Sequence, residues 1–307
     1  MPTLTRRDWV RIIGGGLLAS PVACLADREE EAGGSQEGVS IVAGVRIGAQ
    51  SYSFRDRPLR EVPAAYEAAG ISFCELWSGH VEAADITGAT REMPPEIRRA
   101  RLREWRLRTP LSHFAAIRQR FLDAGVTITS YDVPYRGDWT DDEIARSFEI
   151  AKALGAVSIT SSAVLSAVPQ VAPHAARANM PVSFHNHSII RDDEFATPDD
   201  FAAAMQISPL MGVTLDIGHF TAAGFDPVSY IAQHHDRVRA LHVKDRRRDQ
   251  GPATPFGEGD TPVAGVLRLL RDRRWDIPAH IEYEYQGGDA VEEVKKCYAW
   301  CRQALAG

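Results

Sequence analysis

MGVTLDIGHF, residues 211 to 220, joins a strongly apolar run of strand length to an aspartate and a histidine. The run reads as a buried β-strand, and Asp216 and His219 fall where it ends. A carboxylate and an imidazole at the end of a core strand are either an ordinary polar loop or a metal or proton-transfer site. Buried ionisable groups are rare unless they are paired or hold a metal. The rest of the chain decides between the two.

Seven further runs of strand length surround this one. They are VRIGAQSYSF (45–54), ISFCELW (71–77), VTITSYDV (126–133), VSITSSA (157–163), PVSFHNH (181–187), VRALHVKD (238–245) and PAHIEYEY (278–285). Helical patterns such as DDEIARSFEIAKALG, PDDFAAAMQIS and VAGVLRLLRDRRW lie between them. Thr197 followed by Pro198 reads as an N-cap with proline at the first helical position, and Gly70, Gly125 and Gly155 fall at helix ends. The long stretch from Arg91 to Gly125 predicts two helices, Pro94 to Arg106 and Pro110 to Asp123. The strands start roughly 30 residues apart, the scale of a βα unit. Eight such units predict a (β/α)8 TIM barrel of ~250 residues. An open doubly wound sheet is the weaker reading, because no glycine fingerprint follows the first strand.

In such a barrel the chemistry sits at the C-terminal ends of the strands. Side chains two apart share a face, so the apolar set should face the helices and its alternates the barrel axis. Parity then aims His185 and His187, Asp216, His242 and Lys244, Glu282 and Glu284, and Glu75 and Trp77 inward. Five strands thus send ionisable groups to one mouth.

The composition is that of a globular protein, 44% hydrophobic and 25% charged, with a formal net charge of −6. No long basic stripe is present, which argues against nucleic acid as a partner. The run Arg246 to Arg248 predicts a solvated or anion-binding loop. At the N-terminus, TRRDWVRIIGGGLLASPVA places an arginine pair before a short, Gly-rich apolar stretch. It resembles a twin-arginine export signal over residues 1–25, too short for a spanning helix. That implies the twin-arginine export machinery as a partner, a periplasmic location and no stable membrane span in the mature form. Cleavage after Ala23 or lipidation at Cys24 are both open. Residues 26–44 read as an acidic, Gly-rich tether and 45–307 as the barrel. Cys297 and Cys301, four apart on a predicted helix, are expected to be buried thiols rather than a disulfide.

His185, Asp216, His242 and Glu282 form a mixed nitrogen and oxygen set on four strands. Such a set suits a divalent Mn, Co, Zn or Mg ion with positions left for substrate. A hydrogen-bonded polar core without metal is the plain alternative.

Taken in order, ELWSGH on the second strand, FHNH on the fifth, LDIGH after the sixth, LHVKD on the seventh and IEYE on the eighth resemble the xylose-isomerase-like TIM barrels. That family includes sugar phosphate isomerases/epimerases, inosose-processing enzymes and family-2 AP endonucleases. The resemblance covers nearly all of residues 45–307. It implies Asp216, His242 and Glu282 as metal ligands and His219 as a substrate contact. One departure stands out. Many epimerases of the family carry a glutamate on the fifth strand that binds metal and moves a proton, and here that slot holds His185. His185 is then a ligand or the base, with Glu75 or Glu284 as the replacement carboxylate.

The chemistry that follows is proton abstraction next to the carbonyl of a sugar or keto-sugar, with Glu282 or His185 as base. Isomerisation, epimerisation and elimination by a lyase share that first half. His187, His219, Lys244, Glu284, His80 and Trp77 are candidate substrate contacts. Lys244 also reads as an interior ion-pair partner, His80 as a satisfied loop histidine and Trp77 as a packing aromatic. A metal-free sugar-binding barrel is the non-catalytic alternative. A nuclease is disfavoured because TITSYDV carries no histidine.

Overall fold

In a computed structural model, which describes residues 39–87 and 93–307, eight parallel strands close on themselves. They are β1 (Val45–Gln50), β2 (Phe73–Trp77), β3 (Thr127–Asp132), β4 (Ser158–Ser161), β5 (Val182–His185), β6 (Met211–Asp216), β7 (Val238–Val243) and β8 (Ala279–Ile281). Each pairs with the next in sequence, and β8 pairs back on β1 through Ala279 to Ile47 and Ile281 to Ala49. The expected (β/α)8 TIM barrel is the observed fold. The two expected helices between β2 and β3 are present as Pro95–Arg108 and Leu111–Asp123.

The strands are shorter than the apolar runs that announce them. The chain leaves the ladder after Gln50, Ser161, His185 and Ile281. His187, Glu282 and Glu284 therefore sit just past the last paired residue, at the mouth. Alternation does the sorting: Ile47, Leu76, Ile159, Val182, Phe184, Val213, Leu215, Leu241, Val243 and Ile281 are all fully buried. They pack beneath the helices, where burying each such side chain is worth roughly 1.5–3 kcal/mol. The helices carry the punctuation their sequences predict. Thr197 caps Pro198–Ile207 with a capping box to Asp200, and Gly70 and Gly155 end their helices at φ 71° and 80°. Cys297 and Cys301 are buried free thiols.

Two irregularities set which residues reach the axis. Between β2 and β3 the register shifts, so that Cys74 pairs with Ile128 but Glu75 pairs with Ser130 and Trp77 with Asp132. Thr129 is the extra residue. Beyond it, parity is reversed, and Asp132 joins Trp77 on the inner face. A second shift lies between β6 and β7, where Val213 pairs with Val238 but Thr214 pairs with Ala240. Near the barrel floor β1 needs a glycine. A Cβ on Gly48 would stand 2.4 Å from His280 Cδ2 and 2.8 Å from the Phe73 carbonyl oxygen.

Residues before Val45 also pair with the barrel. Ile41–Val42 folds back antiparallel on β1, and Ser40 Oγ donates to the Ile47 carbonyl at 2.6 Å. The predicted signal at 1–25 and tether residues 26–38 lie outside the described residues. Among the described residues, no helix is long and apolar enough to cross a membrane.

Candidate active site

A cavity of about 190 Å³ opens at the C-terminal mouth of the barrel, lined by residues from both halves of the ring. His185, His187, His219, His242, Glu282 and Glu284 come from the β5 to β8 side. Gln50, Tyr52, Trp77, Asp132 and Ser162 come from β1 to β4 and the loops that follow them.

Among the described residues, His185, Asp216, His242 and Glu282 each offer a ligand atom within 4.8 Å of the others, and all four are buried. His185 Nε2 lies 3.4 Å from Asp216 Oδ2 and 4.0 Å from Glu282 Oε2. His242 Nδ1 lies 3.1 Å from Glu282 Oε2. Backbone and neighbours hold each group in place. Asn186 from the β5 end donates to the Asp216 carbonyl at 3.2 Å and accepts from the Asp216 amide at 2.9 Å. Asp216 Oδ1 caps the helix Ile217–Ala222 by accepting from the His219 amide at 2.7 Å. That leaves Oδ2 facing the cluster. His185 Nδ1 stands 3.3 Å from Ser162 Oγ, so both its ring nitrogens have neighbours in the site.

The donor set fits a divalent cation. One of the facing atoms, His242 Nδ1, is buried without a well-aligned hydrogen bond, and Glu282 Oε2 beside it is held only by ion-pair contacts to His242 and Lys244. A buried polar atom without a partner is costly, and a cation bridging His242 Nδ1 to the neighbouring carboxylates would satisfy it. The opposite nitrogen of His242, Nε2, bonds Glu75 Oε1 at 2.7 Å, which leaves Nδ1 as the nitrogen that could hold a metal. Glu75 is fully buried, and its other oxygen lies 3.3 Å from both Ser130 Oγ and His280 Nδ1. The catalytic role predicted for Glu75 is therefore corrected: it orients His242 from below and does not line the cavity.

Charge is dense and balanced. Lys244 Nζ sits 3.0 Å from Asp216 Oδ2 and 3.1 Å from Glu282 Oε2, and it also pairs with Glu284 Oε2. Burial pushes the Asp216 and Glu282 carboxyls up, but the cations beside them outweigh it and hold both well below the usual range. Burial likewise opposes charge on Lys244 and is overcome by the three carboxylates, which keep it an ammonium. His187 differs. Burial, and then the charge of His185, push its ring down to about 4, so it is neutral at pH 7.

His219 and Trp77 line the cavity as expected, with Trp77 edge-on to Tyr52 at 5.0 Å between ring centroids. His80 does not. Its nitrogens face Ser51 Oγ at 3.0 Å and the Phe54 carbonyl at 3.3 Å, so it is a satisfied histidine of the short helix Ser78–Val81, outside the cavity. The basic run is also corrected in part. Arg247 and Arg248 are exposed, but Arg246 donates to Ser188 Oγ at 2.9 Å and lies 2.6 Å from His219 Nδ1.

Four lining residues escaped the sequence reading: Gln50, Tyr52, Ser162 and Asp132. Asp132 is the consequential one. It ends β3 as Asp216 ends β6, and strict alternation from Ile128 assigns it to the outer face. Position at a strand end was the available signal; the extra residue Thr129 hid it.

A family model described as the xylose isomerase-like TIM barrel matches residues 64–304. No curated protein matches the chain in sequence. Solved structures similar to it include a sugar phosphate isomerase/epimerase from Parabacteroides distasonis, 17% identical with TM-score 0.61 over 86% of this chain and 96% of that one. A 3-keto-D-glucoside 4-epimerase from E. coli is 15% identical, TM-score 0.62, covering 84% and 99%. The probable 3-DHS dehydratase AsbF from Bacillus anthracis is 14% identical, TM-score 0.60, covering 83% and 98%. At these identities the likeness is one of fold.

Proposed function

Since the chain belongs to the xylose isomerase-like TIM barrel family, we propose that it is a divalent-metal-dependent isomerase or epimerase of a sugar or keto-sugar. The observation that carries this reading is the buried set His185, Asp216, His242 and Glu282, with His242 Nδ1 left without a hydrogen bond, opening on a sugar-sized cavity.

A divalent ion held by those four residues would polarise the substrate carbonyl and acidify the neighbouring C–H. The chain's own residues do the rest. Neutral His187, free of any metal-ligand duty, is the base on the β5 side, and Glu282 is the alternative from β8. Glu284 orients hydroxyls, His219 and Trp77 border the sugar, and Tyr52 extends the wall, while Lys244, absent from the cavity wall, is the interior ion-pair partner of Asp216, Glu282 and Glu284. Among the described residues lining the cavity none is Lys or Arg, which favours an uncharged keto-sugar over a sugar phosphate. Export by the twin-arginine route belongs to the same proposal, on the strength of Arg6 and Arg7 before the apolar stretch.

The test is the metal content of the purified full chain by elemental analysis, with Asp216→Ala and Glu282→Ala beside it. About one Mn, Co or Zn per chain, lost in both variants, is expected. Solvent-deuterium exchange into a panel of free keto-sugars should follow. A protein that takes up no metal after incubation with Mn²⁺ or Zn²⁺ would instead be a sugar-binding barrel. Loss of water from the substrate would move the assignment to a lyase, the chemistry named for one structural relative.

A further inference from the structure

We infer that Asp132 is the second proton-transfer group of this site, serving the half of the mouth that faces the metal ligands. The inference rests on the proposed proton-abstraction chemistry and makes it an epimerisation.

Three observations place it there. The ligands stand on β5 to β8, and β3 lies four strands from β7, directly across an eight-stranded ring. Asp132 lines the same cavity as His242, Glu282 and His187. Its side chain is tied at one oxygen only among the described hydrogen bonds: Oδ2 accepts from Gln50 Nε2 at 3.0 Å. Gln50 is itself fixed, since its Oε1 accepts from the Tyr52 amide at 2.6 Å. No ion pair is formed by Asp132 among the described residues, unlike Glu75, Asp216, Glu282 and Glu284 in the same barrel. A buried carboxyl group without a cation is stable as the neutral acid, the form that donates a proton. In the metal-free protein, burial, with the charges of Glu75 and Glu282, pushes the Asp132 carboxyl up.

The step balances as follows. The base on the ligand side takes the proton from the carbon beside the carbonyl, and the C–H pair moves into a C=C bond as the carbonyl oxygen gains charge. Asp132 then delivers its proton to the same carbon from the opposite side. The C=C pair forms the new C–H bond, the carbonyl is restored and the centre is inverted. Asp132 is left as carboxylate and regains a proton from water, while the base releases the one it took. The register shift at Thr129 is what turns this aspartate inward on β3.

Asp132→Asn keeps the shape and removes the proton. In D₂O, with free ketohexoses such as D-fructose and D-tagatose as probes, wild type should yield epimer carrying solvent deuterium. The variant should lose epimer formation by ~100-fold or more. It should keep metal stoichiometry and deuterium exchange into unreacted substrate within about threefold, because the ligand-side base still works. Epimer formation within about threefold of wild type would overturn the role. Joint loss of exchange and metal would overturn it too, marking Asp132 as structural. A wild-type protein that exchanges no proton with any probe would sink the proposed function and this inference with it.

Discussion

Glu75 Oε1 stands 2.7 Å from His242 Nε2, and Glu75 is completely shielded from solvent. The carboxylate fixes which nitrogen of His242 carries a proton and which one faces Glu282. Burial alone would raise the Glu75 carboxyl, but His242 and His280 hold it ionised.

Glu75→Gln should therefore weaken metal binding without removing any ligand. Loss of an outer carboxylate behind a ligating histidine costs roughly 10–100-fold in affinity. Competition titration of Mn²⁺ or Zn²⁺ against a chelator measures it. An unchanged Kd would show that His242 needs no such support.

Lys244 makes a prediction of the opposite sign for the metal-free protein. Its ammonium touches Asp216 Oδ2 and Glu282 Oε2, two of the proposed ligand oxygens, at 3.0 and 3.1 Å. Lys244→Met leaves both buried carboxylates short of a cation, which lowers the Tm of the metal-free protein by several degrees, about 2–4 kcal/mol of lost stability. A divalent ion should restore more of the lost Tm in the variant than it adds to wild type, because binding no longer meets a neighbouring positive charge. Thermal melts with and without Mn²⁺ decide this. Equal metal-induced shifts in the two proteins would refute it.

A second ionic centre holds the outer wall. Glu143 has no exposed side-chain surface and takes Arg99 at 2.6 Å, Arg103 at 2.9 Å and Arg106 at 3.2 Å, while Arg106 also pairs with the buried Glu82. Burial raises the Glu143 carboxyl, yet the bonds from Arg99 and Arg103 outweigh this and bring it down to about 2. A depressed carboxyl stabilises the fold fully above its unfolded value near 4.5 and loses that contribution as pH falls toward 2. Glu143→Ala should cost about 3 kcal/mol at pH 7 and progressively less below pH 4.5. Urea unfolding of both proteins at pH 7 and pH 3.5 tests the sign: a gap that widens on acidification would contradict it.

The sequence made most of the ligand half legible because Val182, Phe184, Leu215, Leu241, Val243 and Ile281 alternate without interruption up to the residues that matter. Parity counted outward from those apolar positions reaches His185, Asp216, His242 and Glu282 directly. It fails on β3, where one extra residue, Thr129, reverses every side chain after it. It also has no access to pairings across the ring, so Glu75 read as a cavity group although it lies beneath His242. Residues past the strand ends, such as His80 in the short helix Ser78–Val81, were unreadable for a related reason, since their direction depends on how the chain turns and not on an alternating strand.

The last prediction concerns the loop after β7. Asp245 Oδ2 accepts from the amides of Gly257 at 2.8 Å and Gly259 at 3.0 Å, and Oδ1 from Thr261 at 3.2 Å. Three backbone donors on one carboxylate pin residues 253–261 against the two-residue ladder of Asp245–Arg246 with Ala253–Thr254. Gly259 is required by this closeness, for a Cβ there would fall 2.0 Å from Asp245 Oδ1. The same ladder presents Arg246 to His219, so the loop's order is coupled to the cavity wall. Asp245→Ala strands three amides and removes the clamp, at about 1–3 kcal/mol for the group left unsatisfied. Hydrogen exchange at Gly257, Gly259 and Thr261 should accelerate, while metal stoichiometry stays at the wild-type value because no ligand moves. In turnover, the proposed enzyme should show KM rising more than kcat falls, since a loosened His219 weakens substrate placement more than proton transfer. Unaltered exchange at those three amides would mean the loop is held by its glycine turns and the Arg246 contacts alone.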